Sequence, residues 1–338
     1  MKRLPLVAAL ALGVSGISAA QADIEVYGQA HLAFSHLDDG DDYSAFNLSS
    51  NASRLGFRAG HDVGPNLRAL VQLEGQVDID NGGDQSITSR DSFAGLEGDW
   101  GLLRAGRFDT PNKTLRSRTD LFGNQVGDAR NIVRGNYGGN QGVDERFRNG
   151  IAYRTPSFGG VFVDVHYSAD GDSDDNAADS NDDDAWSASL TYQQGPAYAA
   201  VSHERWNEGG DRIREMTRVA ASYDLADVRV TGLAQSGGRP SDDAFGVGLR
   251  YALVGDIFLK GQYYVLSADD SDQDADMIAV GADYHYSDEL RFYLNYAQID
   301  NDDAQNRQPW VEASTLGRSD GGVGETARSV AAGLVYNF

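Results

Sequence analysis

Arg54 and Arg58 alternate with Leu55 and Phe57, and Arg104 stands between Leu103 and Ala105. Successive side chains of an extended chain point to opposite faces, so these guanidiniums share a face that the apolar residues avoid. Arg146, Arg148 and Arg154 take one parity, Ile151 and Tyr153 the other. Such rows of fixed cations can sort dissolved ions and dipoles, but they contain neither a nucleophile nor a base. A solvated face, or pairing with a nearby carboxylate, is the bland reading of each arginine, and it weighs most at Arg58 and Arg68. Two unit charges about 10 Å apart in water interact by only about 0.4 kcal/mol, less in salt. Filtering of this kind therefore needs many charges and a narrow gap.

Other chemistry is poorly supported. His31, His36, His61, His166, His203 and His285 are scattered through strands and loops, and no G-x-S-x-G occurs, which leaves an enzyme without a nucleophile and base in one place. The stretch 168–185 carries eight aspartates and no basic residue. Asp170, Asp172 and Asp174 keep the first ligand spacings of an EF-hand, yet Asp175 replaces the turn glycine and Asn181 the bidentate glutamate. A solvated loop that attracts cations, with loose divalent binding at most, is the expectation. There is no cysteine, so neither disulfides nor thiolate metal sites are available. No cofactor is expected.

The elements that would position the arginines read as strands. Leu67, Ala69, Val71 and Leu73 alternate with Arg68, Gln72 and Glu74; Val161, Val163 and Val165 alternate with Asp164 and His166; Ile278, Val280, Ala282 and Tyr284 alternate with Asp283 and His285. Short turn signals fall at 62–66, 97–101, 155–160, 193–197, 224–227, 253–256 and 287–289. Longer polar connections separate them, around 38–46, 81–87, 110–145, 168–185, 206–213, 237–242, 268–275 and 301–326. Seven turns and eight loops, strictly alternating, join sixteen strands, the layout of an antiparallel transmembrane β-barrel.

The ends of the sequence fit that layout. Lys2 and Arg3 precede an apolar run, Leu4 to Ile17, and Ala20-Gln21-Ala22 has the pattern of a secretory cleavage site. A signal peptide over 1–22 and a barrel over 23–338 are expected. After 22 no stretch of eighteen apolar residues occurs, so a membrane would be crossed by strands. The last strand places Val330, Ala332, Leu334, Tyr336 and Phe338 on one face, with Tyr336 and Phe338 in an aromatic girdle. Net charge is −23, which argues against nucleic acid as a partner.

These residues resemble the trimeric, sixteen-stranded general-diffusion porins of Gram-negative outer membranes. The matching stretches are "VYGQA" (26–30), "SRLGFRAG" (53–60), "LRALVQLE" (67–74), "SRDSFAGLEGDWGLLRAGR" (89–107), "YRTPSFGG" (153–160) and the final Phe338. The resemblance implies that the third long loop, about 109–145, folds into the lumen and narrows it. It places an acid at Asp120, with Asp128 as second choice, facing arginines of the opposing wall. In many members a second loop acid would fall at Asn124, so this neck is less acidic. Arg54 and Arg90 match the arginine ladder, Arg146 and Arg148 follow through "RFRNG", and Gln29 stands where relatives carry lysine. The resemblance also implies a homotrimer, latched by a short second loop at 81–87, surrounded by outer-membrane lipid and lipopolysaccharide. Its cargo would be ions and small hydrophilic solutes, by passive diffusion.

Acidic outer loops favour cations and neck arginines favour anions, so selectivity stays open at this level. A substrate-specific channel or an adhesin-like barrel is the nearest rival. A specific sugar channel would show a line of aromatics along the lumen, and the tyrosines mostly share the apolar faces, with Tyr264 and Tyr293 as exceptions. A soluble secreted sandwich fits single strands but not the alternation of turns and loops.

Overall fold

The computed structural model describes residues 23–80, 88–134, 144–169, 184–207, 213–239, 242–311 and 320–338. The expected signal peptide, the latch at 81–87 and most of the aspartate-rich loop lie outside the described residues.

In chain order the first strands are β1 Asp23–Asp38, β2 Ser44–Ser50, β3 Arg54–Gly64, β4 Leu67–Gln76, β5 Ser92–Gly98 and β6 Gly101–Asp109. Two helices follow, α1 Pro111–Thr119 and α2 Arg130–Val133. Next come β7 Arg146–Arg154, β8 Val161–Ser168, β9 Ala185–Gln194, β10 Ala197–Asn207, β11 Ile213–Leu225 and β12 Val228–Arg239. The remainder are β13 Asp243–Val254, β14 Ile257–Ser267, β15 Ala275–His285, β16 Leu290–Asn301 and β17 Thr326–Asn337. Each strand pairs antiparallel with its neighbour, and β1 pairs with β17 to close the sheet. β2 and β3 both pair with β1, at Leu32↔Ser50 and Gln29↔Arg54. They are two halves of one strand, interrupted by a bulge in which Ala52 adopts φ +57°. The Ser53 hydroxyl repairs the break by accepting from the His31 N–H at 2.9 Å. The barrel thus has sixteen strands, and its seven tight turns stand where the turn signals fell.

Its pattern of exposure is inverted relative to a soluble protein. Val219, Phe245 and Leu294 are exposed at 51%, 54% and 59%, whereas Arg218 and Asn295 are at 0% and 1%. Large apolar side chains on the outside and polar ones within require an apolar medium around the barrel, which rules out the sandwich. No helix among the described residues is long and apolar enough to cross a membrane; the strands do so, and closure leaves no unpaired edge.

At the seam Gly28 N–H donates to the Phe338 carbonyl at 2.8 Å and Phe338 N–H to the Gly28 carbonyl at 3.1 Å. The Phe338 ring covers Gly28, where a Cβ would lie 2.3 Å from Cζ. Tyr336 stacks beside Phe338 with ring centres 6.1 Å apart, and both rings are exposed.

One of the register shifts bears on the arginines. Between Gly106 and Phe108 the pairing of β6 with β7 shifts, and Asn149 takes φ +46°. Arg146 and Arg148 are therefore not in continuous parity with Arg154. Phe147, 0% exposed, turns inward instead and meets Trp206 and His166.

Candidate pore constriction

The segment 110–145 shows no helical spacing in its sequence, yet it contains α1 and α2. Thr110 caps α1 by accepting from the Lys113 N–H at 3.2 Å, and Pro111 occupies the first turn, where its missing N–H is harmless. Both helices lie inside the barrel. Leu115 of α1 packs on Ala200 and Ala220; Ile132 and Val133 of α2 pack on Leu233, Tyr264 and Met277; Phe122 and Val126 between them pack on Ala279 and Ala297. Burying a side chain such as Phe122 or Ile132 contributes about 1.5–3 kcal/mol. At Gly127 the approach is so close that a Cβ would sit 2.5 Å from that of Ala279, and φ is +90°. The loop thus lies mainly against the β9–β16 wall, its middle joining a buried cluster that also includes Ala33 and Leu37 of β1 and Val335 of β17.

Charges lock it there. Arg116, 5% exposed, meets Asp120 at 3.1 Å, Asp128 at 3.4 Å and Asp144 at 3.0 Å. Asp144 in turn binds Arg218 of β11 at 2.7 Å. Asp120 accepts further from Phe122 N–H at 2.9 Å, Ala129 N–H at 3.2 Å and Gln262 Nε2 at 3.1 Å. Asp128 accepts from Asn124 N–H at 2.6 Å and from Arg130, and Lys260 donates to Gln125 Oε1 at 2.7 Å. Burial and the neighbouring Asp128 push the Asp120 carboxyl up to about 7, against the four donors that favour its ionised form. Burial also acts on Asp128, but Arg130 and Arg116 outweigh it and hold that carboxyl well below the usual carboxylate range.

This corrects the expectation for the two acids. The side chains of Asp120 and Asp128 are 0% and 1% exposed, enclosed by the loop rather than turned to the opposing wall. Asn124 takes φ +59° and its side chain accepts from Arg130 Nη2 at 3.1 Å. Lys113, Arg130 and Arg134 of the loop line a cavity of about 410 Å³ together with the loop acids Asp144 and Glu145, and Arg90, Arg146, Asp78 and Asp80 line it as well. Burial lowers the Lys113 ammonium to about 8, partly offset by Asp109 at 3.3 Å.

The wall arginines divide. Arg90 and Arg54 share Glu74, at 2.7 and 3.7 Å, and Arg146 binds Asp91 at 2.6 Å and Asp109 at 3.0 Å. Arg58 lies lower, 3.9 Å from Glu25, with its guanidinium over the Tyr27 ring. Arg104 stacks on Phe93 and Phe108 and is not beside the 410 Å³ cavity. Arg148, next to the bulge, does not line that cavity either. Arg116, Arg218, Lys260 and Gln262, which anchor the loop, were not singled out from the sequence. The i,i+4 spacing of Arg116 and Asp120 was a usable signal, as was the inward parity of Arg218 beside outward Val219.

A closed barrel, apolar without and polar within, with a long loop bound inside, defines an outer-membrane channel. A family model described as Gram-negative porin matches residues 6–304, and the chain belongs to that family. It is 28% identical to outer membrane porin protein 32 of Delftia acidovorans over 98% of this chain and 99% of the relative. To an outer membrane porin protein of Bordetella pertussis it is 29% identical over 73% of this chain and 71% of the relative. The solved anion-selective porin from Comamonas acidovorans superposes with a TM-score of 0.81 at 25% identity, covering 94% of this chain and 100% of that one. The protein is an outer-membrane porin, a channel and not an enzyme.

Proposed function

We propose that the 110–145 loop sets the size limit of this porin and that its neck passes small anions in preference to cations, by passive diffusion. The observation that carries this is the fate of the loop acids. Asp120, Asp128 and Asp144 are consumed by Arg116, Arg130 and Arg218, whereas Arg130 and Arg54 keep 31% and 27% of their side chains exposed. Two acids of the lumen wall are likewise committed, Glu74 to Arg90 and Asp109 to Lys113 and Arg146, while Asp78 and Asp80 also border the gap. Mobile ions therefore meet cations on both sides of the gap, and the resulting potential concentrates anions. The likeness to a porin described as anion-selective supports the same sign.

Reversal potentials across a lipid bilayer under a KCl gradient test the reading. The sign of chloride preference is expected, reduced in Arg54→Ala and Arg130→Ala; potassium preference in the wild type overturns it. Assembly as a homotrimer within lipid and lipopolysaccharide belongs to the same proposal, and cross-linking in native membranes tests it.

A further inference from the structure

Beneath α1, on the side of the short turns, lies a second cavity of about 290 Å³, walled by β6–β10. We infer that this cavity is a subsite for small aromatic carboxylates travelling through the channel, an inference that rests on the anion-passing reading above.

Its charge is unbalanced. Two acids line it, and both are engaged: Asp164 with Arg154 at 2.7 Å, and Asp109 with Lys113 at 3.3 Å and Arg146 at 3.0 Å. Arg104 and Arg118 line it too, and neither has a carboxylate within ion-pair distance among the described residues. Two guanidiniums without a paired acid in a partly enclosed space attract an anion, and guanidinium offers the paired donors that suit a carboxylate.

Its walls are also aromatic. Phe162 and Tyr198 line the space, with the Arg154 guanidinium 5.1 Å above the Phe162 ring. Stacking on such faces favours a flat ring over an aliphatic chain. His166 caps the inner end, stacked on Phe108 with ring centres 4.3 Å apart. It is 1% exposed and neither ring nitrogen has a hydrogen-bond partner among the described residues. Both nitrogens are shut off from water, Nε2 against Gly150, so the imidazole closes this end of the cavity as a flat packed ring. The volume is ample, since a cavity of about 150 Å³ already accepts benzene.

Benzoate is the probe. In saturation-transfer NMR on the purified protein in detergent, benzoate is expected to bind, while acetate, which lacks the ring, and benzyl alcohol, which lacks the charge, bind far more weakly. Arg104→Gln and Arg118→Gln are each expected to weaken benzoate about tenfold, the loss of one charge-assisted contact, and Arg104→Lys to recover part of it. Arg118 lies on an exposed face of α1, so the test survives if the Arg104 variant misfolds. Equal binding of acetate or benzyl alcohol, or unchanged benzoate affinity in the Arg118 variant, overturns the subsite. Conduction of KCl is scored separately: a protein that conducts with chloride preference but binds no benzoate overturns the subsite alone, and one that binds benzoate but prefers potassium overturns the selectivity reading alone.

Discussion

Asp144, at the root of β7, accepts from Arg218 of β11 at 2.7 Å, and neither side chain is exposed to water. The same guanidinium donates to the carbonyls of Asn112 at 2.9 Å and Val133 at 3.2 Å. One residue of the wall thus holds the start of α1, the end of α2 and the return of the loop. Replacing it with methionine leaves a buried carboxylate with Arg116 alone and two carbonyls without that donor. Removing one partner of a buried pair typically costs about 3–5 kcal/mol, here falling on loop docking and not on the barrel. Arg218→Met is expected to make the loop sensitive to trypsin and single-channel current noisy. An Arg218→Met, Asp144→Asn double variant should recover much of the loss, because no uncompensated charge remains. A quiet, protease-resistant Arg218→Met channel would show that the apolar contacts hold the loop unaided.

Asp120 separates a structural clip from a pore-facing acid. Both its oxygens accept, Oδ1 from Phe122 N–H and Gln262, Oδ2 from Ala129 N–H and Arg116. In Asp120→Asn the amide nitrogen must face two donors, at a cost of about 1–3 kcal/mol. Greater current noise with little change in reversal potential is the expected result. A large move of reversal potential toward anions, with the current still quiet, would mean that the carboxylate acts on passing ions after all.

Strand spacing, turn positions and inward parity of Arg54, Arg58 and Arg104 were all legible, because in a barrel each residue faces either lipid or lumen and the sequence must alternate accordingly. The docking of the loop was harder to read. Its signal lies at inward positions that are apolar where a water-lined wall would be polar: Ala200, Ala220, Leu233, Met277, Ala279 and Ala297, all buried. Strands β11 and β15 are consequently apolar on both faces along part of their length, which marks the wall that the loop covers. What single-strand patterns do not hold is partner choice. Arg116 could have met any nearby acid, and only the folded loop brings Asp120, Asp128 and Asp144 to it. The β6–β7 shift was equally hidden, since "FRNG" alternates acceptably in either register.

Glu74 is 6% exposed and accepts from Tyr27 at 2.9 Å as well as from Arg90 at 2.7 Å. Neutralising it removes a negative charge from the neck while glutamine keeps the shape. At a separation of about 10 Å in water one charge is worth ~0.4 kcal/mol, near a twofold change in relative permeability. Glu74→Gln is therefore expected to raise chloride preference about twofold in dilute salt and less in concentrated salt. A shift toward potassium would indicate that Arg90 and Arg54 have left the gap when their anchor was lost.

Under the proposed anion preference, Lys113 is expected to give the channel a pH dependence. Its ammonium lines the gap cavity beside Arg146 and Arg90, and burial brings its pKa down to about 8 from the ordinary lysine value near 10.5. A lysine with a lowered pKa is charged below that value and neutral above it, so raising pH through 8 removes one cation from the gap while the arginines stay charged. Chloride preference is expected to fall by about twofold between pH 7 and pH 9, the worth of a single charge at this distance. Lys113→Gln should show the lower preference at pH 7 and no step above it. Reversal potentials recorded over that range decide the matter: an identical step in wild type and Lys113→Gln would assign the titration to another group, and no step in wild type would place the ammonium outside the ions' path.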